Sequence, residues 1–78
     1  MKHVVEVFDG QTEDLLLSVQ VPSDRHSELK SLMNWQLPED EFDGYDLSPE
    51  QVKVLEEWTG TTLTNANHIV QLVCVTAS

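Results

Sequence analysis

The segment from His68 to Thr76 limits the fold more strongly than any other part of this 78-residue chain. Alternate residues of a strand point to opposite faces of a sheet. Here both sets are apolar: Ile69, Val70, Leu72, Val73, Cys74 and Val75. A strand that is apolar on both faces is usually buried within its sheet. We therefore expect a β-sheet in which this segment is an interior strand, either central or beside the first strand.

Two earlier segments supply the other strands of the predicted sheet. His3 to Phe8 has the pattern of a first strand, and Asp9-Gly10 marks a turn after it. The second strand, Leu15 to Val21, alternates clearly, and the two strands should pair antiparallel. The residues of the second strand that should point inward are Leu15, Leu17, Val19 and Val21. The outer face should be wet and carry the polar residues Glu6, Gln20 and Gln71.

Two segments have the pattern of helices. Ser23 is a candidate N-cap for a first helix from Asp24 to about Asn34. The second helix has clearer boundaries, because Ser48 and Gln51 form a capping box and Gly60 can end the helix. Its first helical position is held by Pro49, which suits that place. The stretch between the helices, Trp35 to Asp46, is predicted to be a loop.

These elements predict an α+β fold in a single domain that spans residues 1–78. The predicted architecture is a three-stranded antiparallel-type sheet with two helices on one face, in the order β-β-α-α-β. A chain of 78 residues is too short for a second domain and can build only a small core.

Charge and composition limit the partners and the compartment. With 14 acidic and 4 basic residues the formal net charge is -10, which disfavours binding to nucleic acid or to an anionic membrane. The lone Cys74 cannot form an intramolecular disulfide and suits a reducing compartment. We find the pattern of neither a signal peptide nor a membrane-spanning segment, so a cytoplasmic location is expected.

The acids concentrate in one region of the chain. Between Glu39 and Glu57 eight carboxylates face a single cation, Lys53. Such density weakens a compact fold through repulsion, which a cationic partner would relieve. Aromatic residues lie among these acids, and Trp and Tyr often dominate the energetics of interfaces; Trp58 is expected to belong to the core instead. The predicted partner-binding residues are Trp35, Glu39, Asp40, Glu41, Phe42, Asp43, Tyr45, Asp46 and Glu50.

Metal and catalytic patterns are weak. Residues 39–50 match a calcium loop at Gly44 and Glu50, but Asp46 stands where such loops have an apolar residue and Pro49 begins a helix. The histidines match no zinc spacing. Cys74 is expected to be core material, although a nucleophilic pair with His3 or His26 stays open. We predict no metal, no cofactor and no catalytic residue.

The segment from Phe42 to Gln51, followed by a helix that ends near Gly60 and a closing apolar strand, resembles small bacterial proteins encoded beside polymorphic toxins. Contact-dependent growth inhibition immunity proteins belong to that group. The resemblance covers size, charge and about the C-terminal half, and it transfers no functional residue. It implies a protein that neutralises its own toxin, commonly an RNase or DNase, by binding it.

The sequence thus predicts an immunity protein that is not an enzyme. It would bind a cognate basic toxin domain as a heterodimer through its carboxylates, with an RNase preferred over a DNase as the toxin. Carboxylate oxygens can replace phosphates on Lys and Arg side chains, and opposite charges speed association. The alternatives are an acidic adaptor or homodimerising module that uses an exposed edge at strand one, and, with less support, a calcium-binding domain.

Overall fold

The segment that is apolar on both faces forms an interior strand, as its sequence predicts. A computed structural model describes residues 2–63 and 67–75. Within these ranges the sheet has four antiparallel strands: β1 (Lys2–Asp9), β2 (Leu15–Gln20), β3 (Tyr45–Asp46) and β4 (His68–Val75). Their spatial order is β2-β1-β4-β3, so β4 lies beside β1. Thr76, the last residue of the predicted strand, lies outside the described residues.

The fold is α+β, and its helices pack on one face of the sheet. The helices are α1 (His26–Met33) and α2 (Pro49–Thr59), with two 3-10 turns at Ser23–Arg25 and Pro38–Phe42. Val5 of β1 pairs with Val19 on one side and Leu72 on the other, which places all three on the inner face. The buried core comprises Val5, Val7, Val21, Leu29, Trp35, Val52, Leu55, Leu63 and Leu72. Neither helix of the described ranges is long and apolar enough to cross a membrane.

The predicted count of three strands is wrong, because β3 lies inside the segment that was expected to be a loop. Tyr45 and Asp46 pair with Leu72 and Gln71 of β4. The order is therefore β-β-α-β-α-β. Two residues are too few to show an alternating pattern, and the strand exists only because β4 offers an edge for it to pair with.

The predicted edge at strand one is also wrong. β1 lies between β2 and β4, and β2 forms one edge of the sheet while β3 forms the other. The sequence could not distinguish these orders, since strand order depends on pairing between segments that are far apart along the chain. The edges of the sheet within the described residues therefore belong to β2 and β3.

Leu15 does not point inward as its position in the alternation predicts. Val7 of β1 is opposite Leu17, but the next residue of β1, Phe8, is opposite Leu15. Leu16 is therefore an extra residue in β2. The shift moves Leu15 to the outer face beside Phe8, where it is 52% exposed. Glu6, Gln20 and Gln71 lie on the outer face as predicted, but so does a group of apolar residues: Val4, Phe8, Ile69, Val73 and Val75.

The first helix begins later than predicted. Ser23 lies in the 3-10 turn, and α1 starts at His26 with Arg25 before it and no side-chain hydrogen bond that caps it. Its end agrees with the prediction: Asn34 adopts a left-handed conformation with φ 56° and donates its N–H to carbonyls of the last turn. Asn is one of the few residues other than Gly that tolerates this conformation.

The second helix confirms its predicted boundaries. The Ser48 hydroxyl accepts the Gln51 N–H at 3.3 Å, and the Gln51 side chain accepts the Ser48 N–H at 2.9 Å. Pro49 is the first helical residue, and Gly60 ends the helix with φ 66°. The Gln51 amide also donates to the Leu32 carbonyl at 3.3 Å, which joins the start of α2 to the end of α1.

Candidate partner-binding surface

The predicted acidic residues lie along one edge of the sheet. Four of them, Glu39, Asp40, Glu41 and Asp43, belong to the second 3-10 turn or directly follow it. Asp46 is in β3 and Glu50 is in the first turn of α2. We call residues 38–50 the acidic edge. It lies at the β3 side, with the uncharged strand β2 at the opposite edge of the sheet.

The acidic edge wraps around the rim of the sheet. Tyr45 is on the inner face, opposite Leu72, whereas Asp46 is on the outer face, opposite Gln71. The Asp46 carboxylate accepts a hydrogen bond from the Gln71 side-chain amide at 2.8 Å. The 3-10 turn contacts the inner side through Glu41, whose backbone carbonyl lies 3.3 Å from Nε2 of His3. Asp46 therefore presents its carboxylate on the outer face, while the 3-10 turn lies against the inner face.

Asp40 holds the acidic edge in shape as well as carrying charge. One oxygen of its carboxylate accepts the backbone N–H groups of Gln36 at 2.9 Å and of Leu37 at 3.0 Å. These two hydrogen bonds stabilise the ionised form and lower the pKa of Asp40 from its ordinary value. The same bonds satisfy backbone donors at the start of the 3-10 turn. Asp40 is therefore ionised at neutral pH and fixed in place.

Glu41 is partly withdrawn from solvent. Its carboxylate lies 3.1 Å from Nε2 of His26 in α1, and its side chain is only 17% exposed. Its backbone carbonyl faces the buried His3 of β1. Glu41 thus joins the 3-10 turn to both α1 and β1, and it presents less free charge than its neighbours Glu39 and Asp43. Sequence reasoning missed both histidines, since 38 and 15 positions separate them from Glu41.

The aromatic residues divide between the surface and its support. Phe42 is 55% exposed between two acids and is available as an apolar anchor. Trp35 is only 7% exposed, so little of its side chain is available to a partner, and its role as a contact residue stays a prediction. Its ring lies under the surface, 5.4 Å from the His3 ring and 5.9 Å from the Tyr45 ring between centroids. Trp35 follows Asn34, the C-cap of α1, and turns into the core, which a helix boundary in the sequence does not reveal.

Tyr45 is half-buried and fixed by a short hydrogen bond. Its hydroxyl donates to the backbone carbonyl of Asp40 at 2.6 Å. Burial raises the pKa of Tyr45, and the negative charges of Asp43 and Asp40 raise it further, while the Trp35 indole N–H acts in the opposite direction. No acceptor satisfies Trp35 Nε1 with full hydrogen-bond geometry within the described residues. Tyr45 is neutral at physiological pH and connects β3 to the 3-10 turn.

Trp58 packs against the core, in agreement with its predicted place. Its ring lies 5.7 Å from the guanidinium carbon of Arg25, and Arg25 also pairs with Glu28 at 2.6 Å. An Arg over an indole face is a favourable cation–π contact. These contacts place Arg25, one of the four Lys and Arg residues of the chain, beside α2, with its guanidinium paired to Glu28.

The strand register bears on whether Cys74 and His3 could act as a nucleophilic pair. His3 lies directly opposite Cys74 on the inner face. Nevertheless, the hydrogen bond found for the His3 ring goes to the Glu41 carbonyl, and within residues 2–63 and 67–75 none joins it to Cys74.

Residues 2–63 and 67–75 contain no group of three or more His, Cys, Asp or Glu side chains that could hold a metal ion. The geometry thus adds nothing in favour of a calcium loop.

Comparison with known proteins assigns the fold to a family but adds no activity. A family model described as a domain of unknown function, DUF7683, matches residues 2–72. Neither curated proteins nor solved structures give a match. The matched range covers β1 to β3, both helices, the acidic edge and the first five residues of β4.

Proposed function

The chain belongs to the DUF7683 family, and from its geometry we propose that it binds and neutralises a basic toxin domain in the cytoplasm. The partner we favour is a nuclease, and an RNase before a DNase. The observation that carries the proposal is the acidic edge, where acidic side chains flank the exposed Phe42. Exposed apolar area beside dense charge of one sign is suited to a partner of opposite charge.

The charge of the acidic edge is compensated only in part. Its 3-10 turn carries three acids in its first turn and no basic residue in its last. The His26 contact with Glu41 is an ion pair only when the imidazole is protonated. Residual repulsion among such groups is relieved when a cationic surface docks against them. Binding therefore recovers stability that the free protein lacks.

The acidic edge is held in position before binding. Asp40 caps the 3-10 turn, Tyr45 bonds to the Asp40 carbonyl, and β3 anchors the segment to β4. Ordering a loop on binding costs free energy, so a segment that is already ordered binds more tightly for the same contacts. This rigidity favours recognition of one specific partner over loose attraction to any cation.

The mechanism follows from the chemistry of the two surfaces. A nuclease holds phosphates with Lys and Arg side chains, and these groups donate hydrogen bonds to carboxylate oxygens in the same way. Carboxylates such as Glu39 and Asp43 would occupy phosphate positions while Phe42 packs against an apolar part of the toxin. The complex would contain one toxin domain per chain, and substrate RNA would be excluded by both charge and bulk.

The test uses a basic nuclease domain, taken from the C-terminus of any large secreted protein that the gene immediately upstream encodes. We expect inhibition of its nuclease activity at one-to-one stoichiometry, and binding that weakens with added salt. Asp43→Lys should weaken binding by about tenfold or more, because one attraction becomes a repulsion. Calorimetry and an RNA-cleavage assay provide the two readouts.

The matched control is Asp14→Lys. It makes the same change of charge in the turn before β2, at the other edge of the sheet, and should lower affinity much less than Asp43→Lys. Equal losses for the two variants would mean that only net charge matters. Binding that responds to neither variant nor to salt would exclude the electrostatic mechanism, and no binding to basic nuclease domains would exclude the function.

A further inference from the structure

The other edge of the sheet has the opposite character. β2 contains six residues, and none of them is charged although the chain carries a net charge of -10. Three consecutive leucines of β2 are exposed by 37% to 52%: Leu15, Leu16 and Leu17. Soluble proteins usually protect an edge strand with Lys, Pro or a covering segment. Within residues 15–20 no Lys or Pro supplies that protection.

The register shows which backbone groups of β2 are free to pair. The Val21 N–H donates to the His3 carbonyl at 2.8 Å, and His3 is opposite Val21 when the register is continued. Hydrogen-bonded and non-bonded pairs alternate in an antiparallel ladder, so Val19 and Leu17 also bond to β1. The N–H and C=O groups of Ser18 and Gln20 consequently point away from β1, towards the open edge.

From this edge we infer that two copies of the chain pair through β2, antiparallel and about a two-fold axis at Ser18. In this register Ser18 faces its own counterpart, and Gln20 faces Leu16 of the second copy. The pair of Ser18 residues forms about two backbone hydrogen bonds, and further bonds extend towards Gln20 as far as the irregularity at Leu16 of the second copy allows. It also brings Leu17 beside Val19 of the second copy on the inner face.

Charge favours the uncharged strand of a second copy as the occupant and disfavours one neighbouring register. The register about Ser18 places Asp14 opposite Pro22, whereas a shift by one bonded pair in one direction would place Asp14 opposite Asp24. A second copy thus meets an uncharged strand without bringing carboxylates together, and pairing of a strand with itself is closed by symmetry. The opposite edge cannot extend the assembly in the same way, since β3 has only two residues.

The dimer is small and leaves the acidic edge free. Pairing of one six-residue strand per copy buries an area at the low end of specific interfaces, below about 1,200 Å² in total. Association is therefore reversible and depends on concentration. The two acidic edges lie at the far sides of the joined sheet, so a dimer can bind two basic partners. Salt screens repulsion between the two acidic copies and strengthens the dimer, whereas it weakens binding at the acidic edge.

The test is sedimentation of the purified chain alone from micromolar to millimolar concentration. We expect a monomer–dimer equilibrium that shifts towards dimer in high salt. Ser18→Pro removes a donor that points away from β1 and should weaken dimerisation roughly tenfold to a hundredfold, because both copies lose a hydrogen bond. Ser18→Ala keeps the N–H and should leave the dimer intact.

A second pair of variants tests the apolar part of the edge. Leu16→Lys should abolish dimerisation, while Leu37→Lys is the matched control, since Leu37 is similarly exposed but lies in the segment before the 3-10 turn. Circular dichroism establishes that each variant is folded. Ser18 and Leu16 lie outside the acidic edge, so a failure of their variants does not bear on the proposed function.

Cross-linking tests the register directly. With Cys74 replaced by Ser, mild oxidation of Ser18→Cys should give a disulfide-linked dimer, because paired strands bring the two positions within about 5.5 Å. Gln20→Cys should not cross-link, since its two copies are about 13 Å apart along the strands. Three results would overturn the inference. The chain could stay monomeric at all concentrations, the dimer could be unaffected by Ser18→Pro and Leu16→Lys, or β2 could pair only with a foreign extended peptide.

Discussion

Asp40 shows how one residue can serve both the fold and the surface. Its carboxylate accepts two backbone N–H groups, while its own carbonyl accepts the Tyr45 hydroxyl. Removing its charge therefore affects the shape of the acidic edge as well as the attraction to a partner. Asp43, which makes no such hydrogen bonds within the described residues, is the better position at which to test charge alone.

Stability in acid should depend on Asp40. Its folded pKa is lowered, so its contribution is complete above the unfolded pKa of about 3.9 and is lost as the pH falls through the lower folded value. Asp40→Asn should flatten the fall in unfolding free energy below about pH 4. Urea denaturation across this range measures the effect. Asp43→Asn is the control, and an identical response of both variants would contradict the role of Asp40.

Tyr45 should make the protein less stable in alkali. Its folded pKa is raised above the ordinary value of 10.0, so stability falls once the pH exceeds the unfolded value and the phenol of the unfolded chain ionises first. Tyr45 is the only tyrosine of the chain, so ultraviolet absorbance reports its titration without overlap from another tyrosine. Tyr45→Phe should remove this dependence, and a Tyr45 that titrates at 10 or below would contradict the burial described for it.

At the scale of elements, the two helices begin in different ways. The start of α2 has reciprocal side-chain hydrogen bonds between Ser48 and Gln51, whereas α1 follows a 3-10 turn and has no side-chain cap. Both helices are short, so most of their stability comes from packing. The α2 cap also positions Glu50 at the acidic edge, which connects helix capping to the proposed function.

Replacing the two candidate cap serines should separate these cases. Ser48→Ala should lower the unfolding free energy by about 1 kcal/mol, because it removes a side-chain acceptor from a helix start. Ser23→Ala should change it by less than about 0.5 kcal/mol, since Ser23 caps nothing. Denaturant titration of both variants measures the difference. Equal losses of unfolding free energy in the two variants would contradict this expectation and would mean that the Ser23 side chain caps a helix start.

At the scale of the whole molecule, the sheet separates two kinds of surface. The charged acidic edge lies at β3, and the uncharged strand with exposed leucines lies at β2. The interior strands β1 and β4 hold these surfaces apart. Association at the two edges should respond to salt in opposite directions, because one depends on attraction between unlike charges and the other on burial of apolar surface between like-charged copies.

The net charge should also set a balance between stability and binding. Asp43→Lys changes the net charge from -10 to -8, since one negative charge is lost and one positive charge is gained. At low salt we expect this variant to melt at a higher temperature than the native chain, because repulsion is reduced. Its binding to the basic partner should be weaker. Calorimetric melting at low and high salt measures the first effect, and a variant that is destabilised at low salt would contradict it.

Much of the fold could be predicted because its signals are local. The apolar run of β4, the alternation in β2 and the capping residues of α2 each act through neighbours in the chain, and each gave the correct element. The failures had different causes. The extra residue at Leu16 reversed the direction of Leu15, and the two-residue strand β3 is too short for a periodic pattern.

The sequence by itself determined the α+β class, the interior position of β4 and the concentration of acids in residues 39–50. These properties depend on residue type and spacing along the chain. Only the tertiary structure decided that Trp35 is buried, that Glu41 meets His3 and His26, and that β2 is the free edge. Such contacts join residues far apart in sequence. Local preferences for helix, strand or turn do not distinguish between the possible arrangements of these elements, so packing and strand pairing decide which arrangement forms.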